Sequence, residues 1–280
     1  MIKIYSAVFA GIAMFAGTVC FASDIAREVS GDGGDNFFEV SIGLGAGQNN
    51  RVKKEDEHND SYGVGIGLGW EYRWKGFFSE AIQDSYSGLN LGYELWQNDN
   101  WRLDLIGMNL HGSVSNDDEI LPGMTEEERN DRLVRRDTIT LNGGVRATYY
   151  WKDNIIQFRL ESDYSQNYAG AQSSLLVGRA WQIRNWNIHG LTGLQWNSRK
   201  RNEYLWNVSP LEATEKFPEY QASSSLNYSF EVGATYPISE HWLSRSKIVA
   251  FTIDDSVSES PLTNNDNVGG VISTSIVYVF

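Results

Sequence analysis

The residues able to do chemistry are sparse, and their spacing is loose. His111-Gly112-Ser113 sets an imidazole two positions from a hydroxyl, with Asn116 close behind. On an extended strand, residues i and i+2 share a face, so a nucleophile and its base could stand side by side there. No third partner is identifiable on the following strand, and a phase slip at Leu105-Ile106 leaves the face of His111 open. His58, His111, His189 and His241 lack the paired spacing of a metal site. The expectation is a protein that is not an enzyme and uses no metal or cofactor.

Acids gather in polar stretches: Glu55, Asp56, Glu57 and Asp60 in one, Asp117, Asp118 and Glu119 in another. These read as solvated loops. Glu126-Glu127-Glu128 beside Arg129, Arg132, Arg135 and Arg136 fits either a short salt-bridged helix or a lid over a pore. A third set is spread along alternating segments: Glu39, Glu71, Arg73, Glu94, Arg146, Arg159, Glu161, Asp163 and Glu231. Each shares its face with Ser, Thr, Asn or Gly, which predicts an inward, lumen-facing set. Charge inside a barrel needs water or a partner. Paired, these residues would plug the lumen; hydrated, they would line a channel. The glycines Gly63, Gly65, Gly67 and Gly69, opposite Gly43 and Gly45, leave a smooth wall between them.

The elements that must carry these charges follow from period two. From Tyr62 to Trp74 one face is Tyr62, Val64, Ile66, Leu68, Trp70, Tyr72 and Trp74, the other Gly63, Gly65, Gly67, Gly69, Glu71 and Arg73. Phe38–Ala46 and Thr138–Trp151 alternate in the same way. Soluble strands average ~5–6 residues, whereas membrane-barrel strands need ~9–11. Twelve strands are expected, roughly 36–48, 61–74, 77–82, 88–97, 100–113, 135–151, 154–166, 171–183, 186–198, 221–236, 241–254 and 268–280. Short turns at Lys75-Gly76, 98–100, Lys152-Asp153, Arg184-Asn185 and Ser239-Glu240 alternate with polar loops near 49–60, 114–134, 199–219 and 255–266. Tight turns at one end and loops at the other are the asymmetry of a transmembrane antiparallel β-barrel of the outer-membrane type. Trp74, Trp96, Trp101, Trp151, Trp181, Trp186 and Trp242 sit beside the short turns, as an interfacial aromatic girdle would.

Over 280 residues the net charge is −13, which excludes nucleic acid as a partner. Met1-Ile2-Lys3, the apolar run from Ile4 to Ala22 and the small residues before Asp24 read as a cleavable signal peptide, residues 1–22. Residues 23–35 then form a short periplasmic segment and 36–280 the barrel. The one cysteine, Cys20, falls in the signal, so the exported chain has no disulfide. Past residue 23 no apolar stretch approaches the ~20 residues of a spanning helix. The location expected is the bacterial outer membrane, with its lipid as one partner. The chain ends on an amphipathic strand with Tyr278 and Phe280 on one face, the pattern read by the outer-membrane assembly machinery.

Three segments point to a family: Gly43-Leu44-Gly45-Ala46-Gly47, the run from Asn202 to Ala213, and the run from Asp254 to Leu262. Within them Tyr204, Val208, Ser209, Pro210, Glu212 and Ala213, then Asp254, Ser260 and Pro261, resemble the motifs of the MipA/OmpV family of outer-membrane proteins. Trp206-Asn207 stands where that family usually has Tyr-Gly. The resemblance implies a structural role, a scaffold linking a periplasmic murein hydrolase to a peptidoglycan synthase. Other members are antigens or adhesion-related barrels, and the family has no catalytic site to carry over. The rival class is a porin-like channel for small solutes. A third, a phospholipase-like enzyme using His111 and Ser113, has the least support.

Overall fold

The computed structural model describes residues 36–48, 60–81, 89–111, 140–165, 169–213, 215 and 217–280. The signal sequence, residues 23–35, Ser113, Asn116, the acids of 55–57 and 117–119 and the charged run 126–136 lie outside the described residues.

Twelve antiparallel strands close on themselves. They are β1 (Phe37–Gln48), β2 (Asp60–Trp74), β3 (Phe77–Ala81), β4 (Leu89–Gln97), β5 (Trp101–His111) and β6 (Thr140–Trp151). The second half is β7 (Asn154–Asp163), β8 (Ala171–Ile183), β9 (Trp186–Asn197), β10 (Ser225–Pro237), β11 (Trp242–Thr252) and β12 (Val268–Val279). Each pairs with its neighbour in sequence, and β12 pairs with β1, Ile42 opposite Ile276. No open edge remains among the described strands, as a lipid environment requires.

The strand faces are inverted relative to a soluble protein. Ile42, Leu44, Val64, Ile66, Leu68, Phe158, Leu160, Phe230 and Ile272 are exposed, while Glu39, Asp104, Arg146, Glu161 and Glu231 are buried. Apolar side chains therefore face outward into hydrocarbon, and polar ones fill the interior. The seven tryptophans beside the turns are all exposed on the outer face. Ring pairs link the girdle around the turn end: Trp101 with Tyr149, Trp186 with Tyr236, Trp242 with Tyr278, and Phe280 with both Tyr278 and Phe38.

The tight turns lie where the punctuation put them. Lys75 and Gly76 have φ of 50° and 87°, a left-handed pair whose twist suits a two-residue hairpin. A Cβ on Gly76 would come within 2.8 Å of the Tyr93 ring, so the ring packs on bare backbone. The phase slip at Leu105-Ile106 is a bulge, with the β5–β6 register broken between Ile106 and Asn109.

Three expectations are corrected. The 199–219 stretch is not simply a polar loop: α1 (Arg199–Trp206) occupies its first part, capped by the Ser198 side chain, which accepts from Arg201 N, and braced by Arg199 and Glu203 at 2.6 Å. The tenth strand begins at Ser225 rather than 221, because the chain before it leaves the wall. There Tyr220 bridges Val208, and Ala222 N donates to Asn207 Oδ1 at 2.6 Å. A second short helix, α2 (Asp255–Ser258), stands between β11 and β12.

Candidate functional site: an ionic lattice in the lumen and its cap

The lumen is built from side chains that alternate with the lipid-facing ones. On β2 to β7 they form one ionic lattice. The Arg146 guanidinium bonds Asp104 at 2.9 Å and Glu80 at 3.2 Å, and is only 3% exposed. Arg73 bonds Glu71 at 2.6 Å and lies 3.5 Å from Glu94, 3.8 Å from Asp104 and 3.9 Å from Glu80. The Phe78 ring lies 5.0 Å from both guanidinium carbons. Asn90 donates to Glu80 at 3.0 Å and accepts from Arg159 at 3.1 Å. Arg159 also pairs with Glu161, which accepts from Gln172 at 2.6 Å, and Gln172 accepts from Arg201 of α1 at 3.1 Å. A chain of polar contacts thus runs from Arg73, near the turn end, to the helix at the loop end.

A second set lies on β1 and β9 to β11. Glu39 takes both Arg245 terminal nitrogens, at 2.9 and 3.1 Å. Glu231 holds His189 Nε2 at 3.0 Å, with Lys247 at 4.0 Å. The His189 ring lies over bare backbone, since a Cβ at Gly233 would fall 2.3 Å from it. Asp163 serves the loop end instead, accepting from Ser165 N at 2.9 Å and Ala169 N at 3.1 Å.

The inward set expected from the sequence is thus brought together on one side only in part. Arg146 stands opposite Arg159 in register, and its guanidinium pairs with Glu80 of β3 and Asp104 of β5. Sequence reasoning missed Glu80, Asp104, His189, Arg201, Arg245 and Lys247. The signal for Arg245 and Lys247 was their spacing of two beside Val249, another inward residue.

The loop end carries a cap. Trp206, Ala222 and Val257 pack on Val249, Phe251 and Ile253, which face inward at the end of β11. Val208, Phe217 and Leu262 form a second apolar knot. The motif residues are its fastenings. Ser209 N and Oγ both donate to Glu212, at 3.0 and 2.7 Å, and Ala213 N bonds Ser209 O. Ser260 Oγ donates to Trp206 O at 2.8 Å, next to Pro261. Asp254 accepts from Ser256 N and from Leu226 N, tying α2 to β10. Tyr204 lies half-buried in α1, while Pro210 is exposed. Tyr220 donates to Ser256 O at 3.1 Å; burial and then the carboxylates of Glu259, Asp254 and Asp255 push its hydroxyl pKa up.

Comparison with known proteins agrees with this layout. The profile of the family described as "MltA-interacting protein MipA" matches residues 42–280. The MltA-interacting protein of Escherichia coli is 28% identical over 147 residues, 50% of this chain and 57% of that protein. This chain thus matches little more than half of that relative's length. Outer membrane protein Omp26La of Vibrio anguillarum is 22% identical over 207 residues, covering 70% of this chain and 79% of that one. Among solved structures the NanC porin overlaps 85% of this chain and 98% of its own, with a TM-score of 0.45 at 8% identity. The ladders of β1 to β12, rather than that overlap, establish the barrel. With the lipid-facing wall, the capped lumen and a profile match spanning nearly the whole described barrel, this outer-membrane β-barrel belongs to the MipA family.

Proposed function

We propose that the protein is a closed outer-membrane barrel with a structural, non-enzymatic role in the cell envelope, holding a murein hydrolase and a peptidoglycan synthase at the periplasmic face. The observation that supports this reading is the packed ionic lattice inside the wall: Arg146, Asp104 and Glu231 are 3%, 0% and 0% exposed, where a wide conducting pore would keep such groups wet. The name of the Escherichia coli relative supports a murein-related partner. In this reading export removes residues 1–22, and the enzymes meet the tight turns together with residues 23–35.

The test pairs two measurements. Planar-bilayer recordings of the purified barrel should show no steady open state. Pull-down from envelopes solubilised in mild detergent should recover murein hydrolases. Persistent porin-sized conductance, or an empty pull-down, would overturn the scaffold. The channel reading has one observation in its favour: a Cβ at Gly65 on the inner wall would meet nothing within 4 Å. The same recordings decide it.

A further inference from the structure

Charge is rare on the lipid face of the described strands, and Arg179 is one such charge. Arg179 on β8 alternates with Leu175, Val177, Trp181 and Ile183, all exposed on the lipid side. It forms no ion pair with a described residue; its one recorded partner is the Trp181 ring, 5.7 Å from the guanidinium carbon. A lone arginine facing lipid is costly at mid-bilayer and tolerated near an interface. Its surroundings place it at the interface. Arg179 stands opposite Asn154, the first residue after the Lys152-Asp153 turn, and Ala180 N bonds Asp153 O at 3.2 Å. Trp151 is the register partner of Asn154 on the other side, and Trp181 stands two residues beyond Arg179 on its own face; both are exposed.

The position is built rather than incidental. Trp181 lies over Gly190, where a Cβ would sit 3.3 Å from the indole, so bare backbone seats the ring that contacts Arg179. Gly190 is also the register partner of Arg179, which leaves a shallow notch in the wall beside the guanidinium. Lys152 is exposed in the adjoining turn, where its φ of 54° is the left-handed geometry shared by Lys75 and Arg184 at other tight turns, and it too forms no ion pair with a described residue. One carboxylate, Asp153, shares the turn. An arginine seated on an indole, with a turn lysine two residues from its register partner Asn154, matches one chemistry at the headgroup level, the phosphate of a lipid.

We propose that Arg179 and Lys152, with Trp151 and Trp181 as walls, bind the phosphate of an anionic phospholipid in the periplasmic leaflet. The guanidinium donates to two phosphate oxygens, the ammonium neutralises the remaining charge, and the acyl chains lie along Val177 and Ile156. The site asks nothing of the scaffold reading and stands without it.

Native mass spectrometry of the barrel, released from vesicles of phosphatidylglycerol and phosphatidylcholine, reads the outcome. The parent protein should retain phosphatidylglycerol in preference, and Arg179→Gln, whose amide can keep one of the two donations but not the charge, should lower its retention about tenfold. Lys152→Gln should act in the same direction and serves if Arg179→Gln fails to insert. Lys75→Gln, at a turn on the other side, should leave retention unchanged; heat-dependent gel mobility confirms folding of each variant. Equal retention by Arg179→Gln and the parent would overturn the site. So would an equal loss from Lys75→Gln, which would mean only general attraction to a basic rim.

Discussion

Replacing Arg146 with methionine would leave the buried carboxylates of Glu80 and Asp104 with only longer contacts to cations, Arg73 at 3.9 and 3.8 Å and Arg102 at 3.6 Å from Asp104. Removing one partner of a buried ion pair costs about 3–5 kcal/mol. Urea titration of the refolded barrel, followed by its gel mobility, should show a loss of that size, and Glu80→Gln in the same chain should recover part of it. Tyr220 predicts a pH effect. Its pKa in the folded cap is raised, so the protonated phenol stabilises the cap fully below its ordinary value, and that contribution is lost as pH climbs through the raised one. The emission of Trp206, taken as the difference from Trp206→Phe, should shift at strongly alkaline pH and stay flat in Tyr220→Phe. The lumen residues legible in the sequence were those on strands with strong contrast, such as Glu71 beside Tyr72. Arg245 and Lys247 were hidden because Ser244 and Ser246, which face lipid, are polar too, and the Ser246 hydroxyl satisfies itself on Thr274 at 2.8 Å. Glu80 was hidden by the shortness of β3, whose five residues hold too few alternations to fix a face.

Among the elements, the cap behaves as a separate packing unit seated on the barrel. Trp206→Ala should open it at a cost of up to about 3–5 kcal/mol, the range for truncating a buried tryptophan. Limited proteolysis should then cut between residues 207 and 224 while the barrel core keeps its mobility; resistance equal to the parent would show that the packing is redundant. Most strands were readable because hydrocarbon imposes period two along them, and it fails where β3 is short, where β4 and β5 bulge and where serines face lipid on β11. The cap was not, because helix and coil there fold on a local polar network with no repeating period. Its apolar anchors Val208, Phe217 and Leu262 were visible, but nothing in their spacing says that they meet.

At the scale of the whole molecule, the outer surface sets the solvent. Ile66→Arg places a charge in the middle of the apolar belt and should cost about 2–4 kcal/mol in vesicles. Folding yield against urea measures it. Phe280→Ala removes ring contacts of 4.8 Å to Tyr278 and 5.4 Å to Phe38, and should slow insertion in cells, seen as unfolded chain persisting on a semi-native gel. The closing seam has one more consequence. Phe280 N bonds Phe38 O, so β12 finishes beside the start of β1 just as every hairpin partner does around the turn end. A two- or three-residue linker across that point would make a sixth hairpin and turn the wall into an unbroken ring. Circular permutants reopened at Lys152-Asp153 should then close the same cylinder, and they would reveal whether Phe280 works through its rings or through standing last.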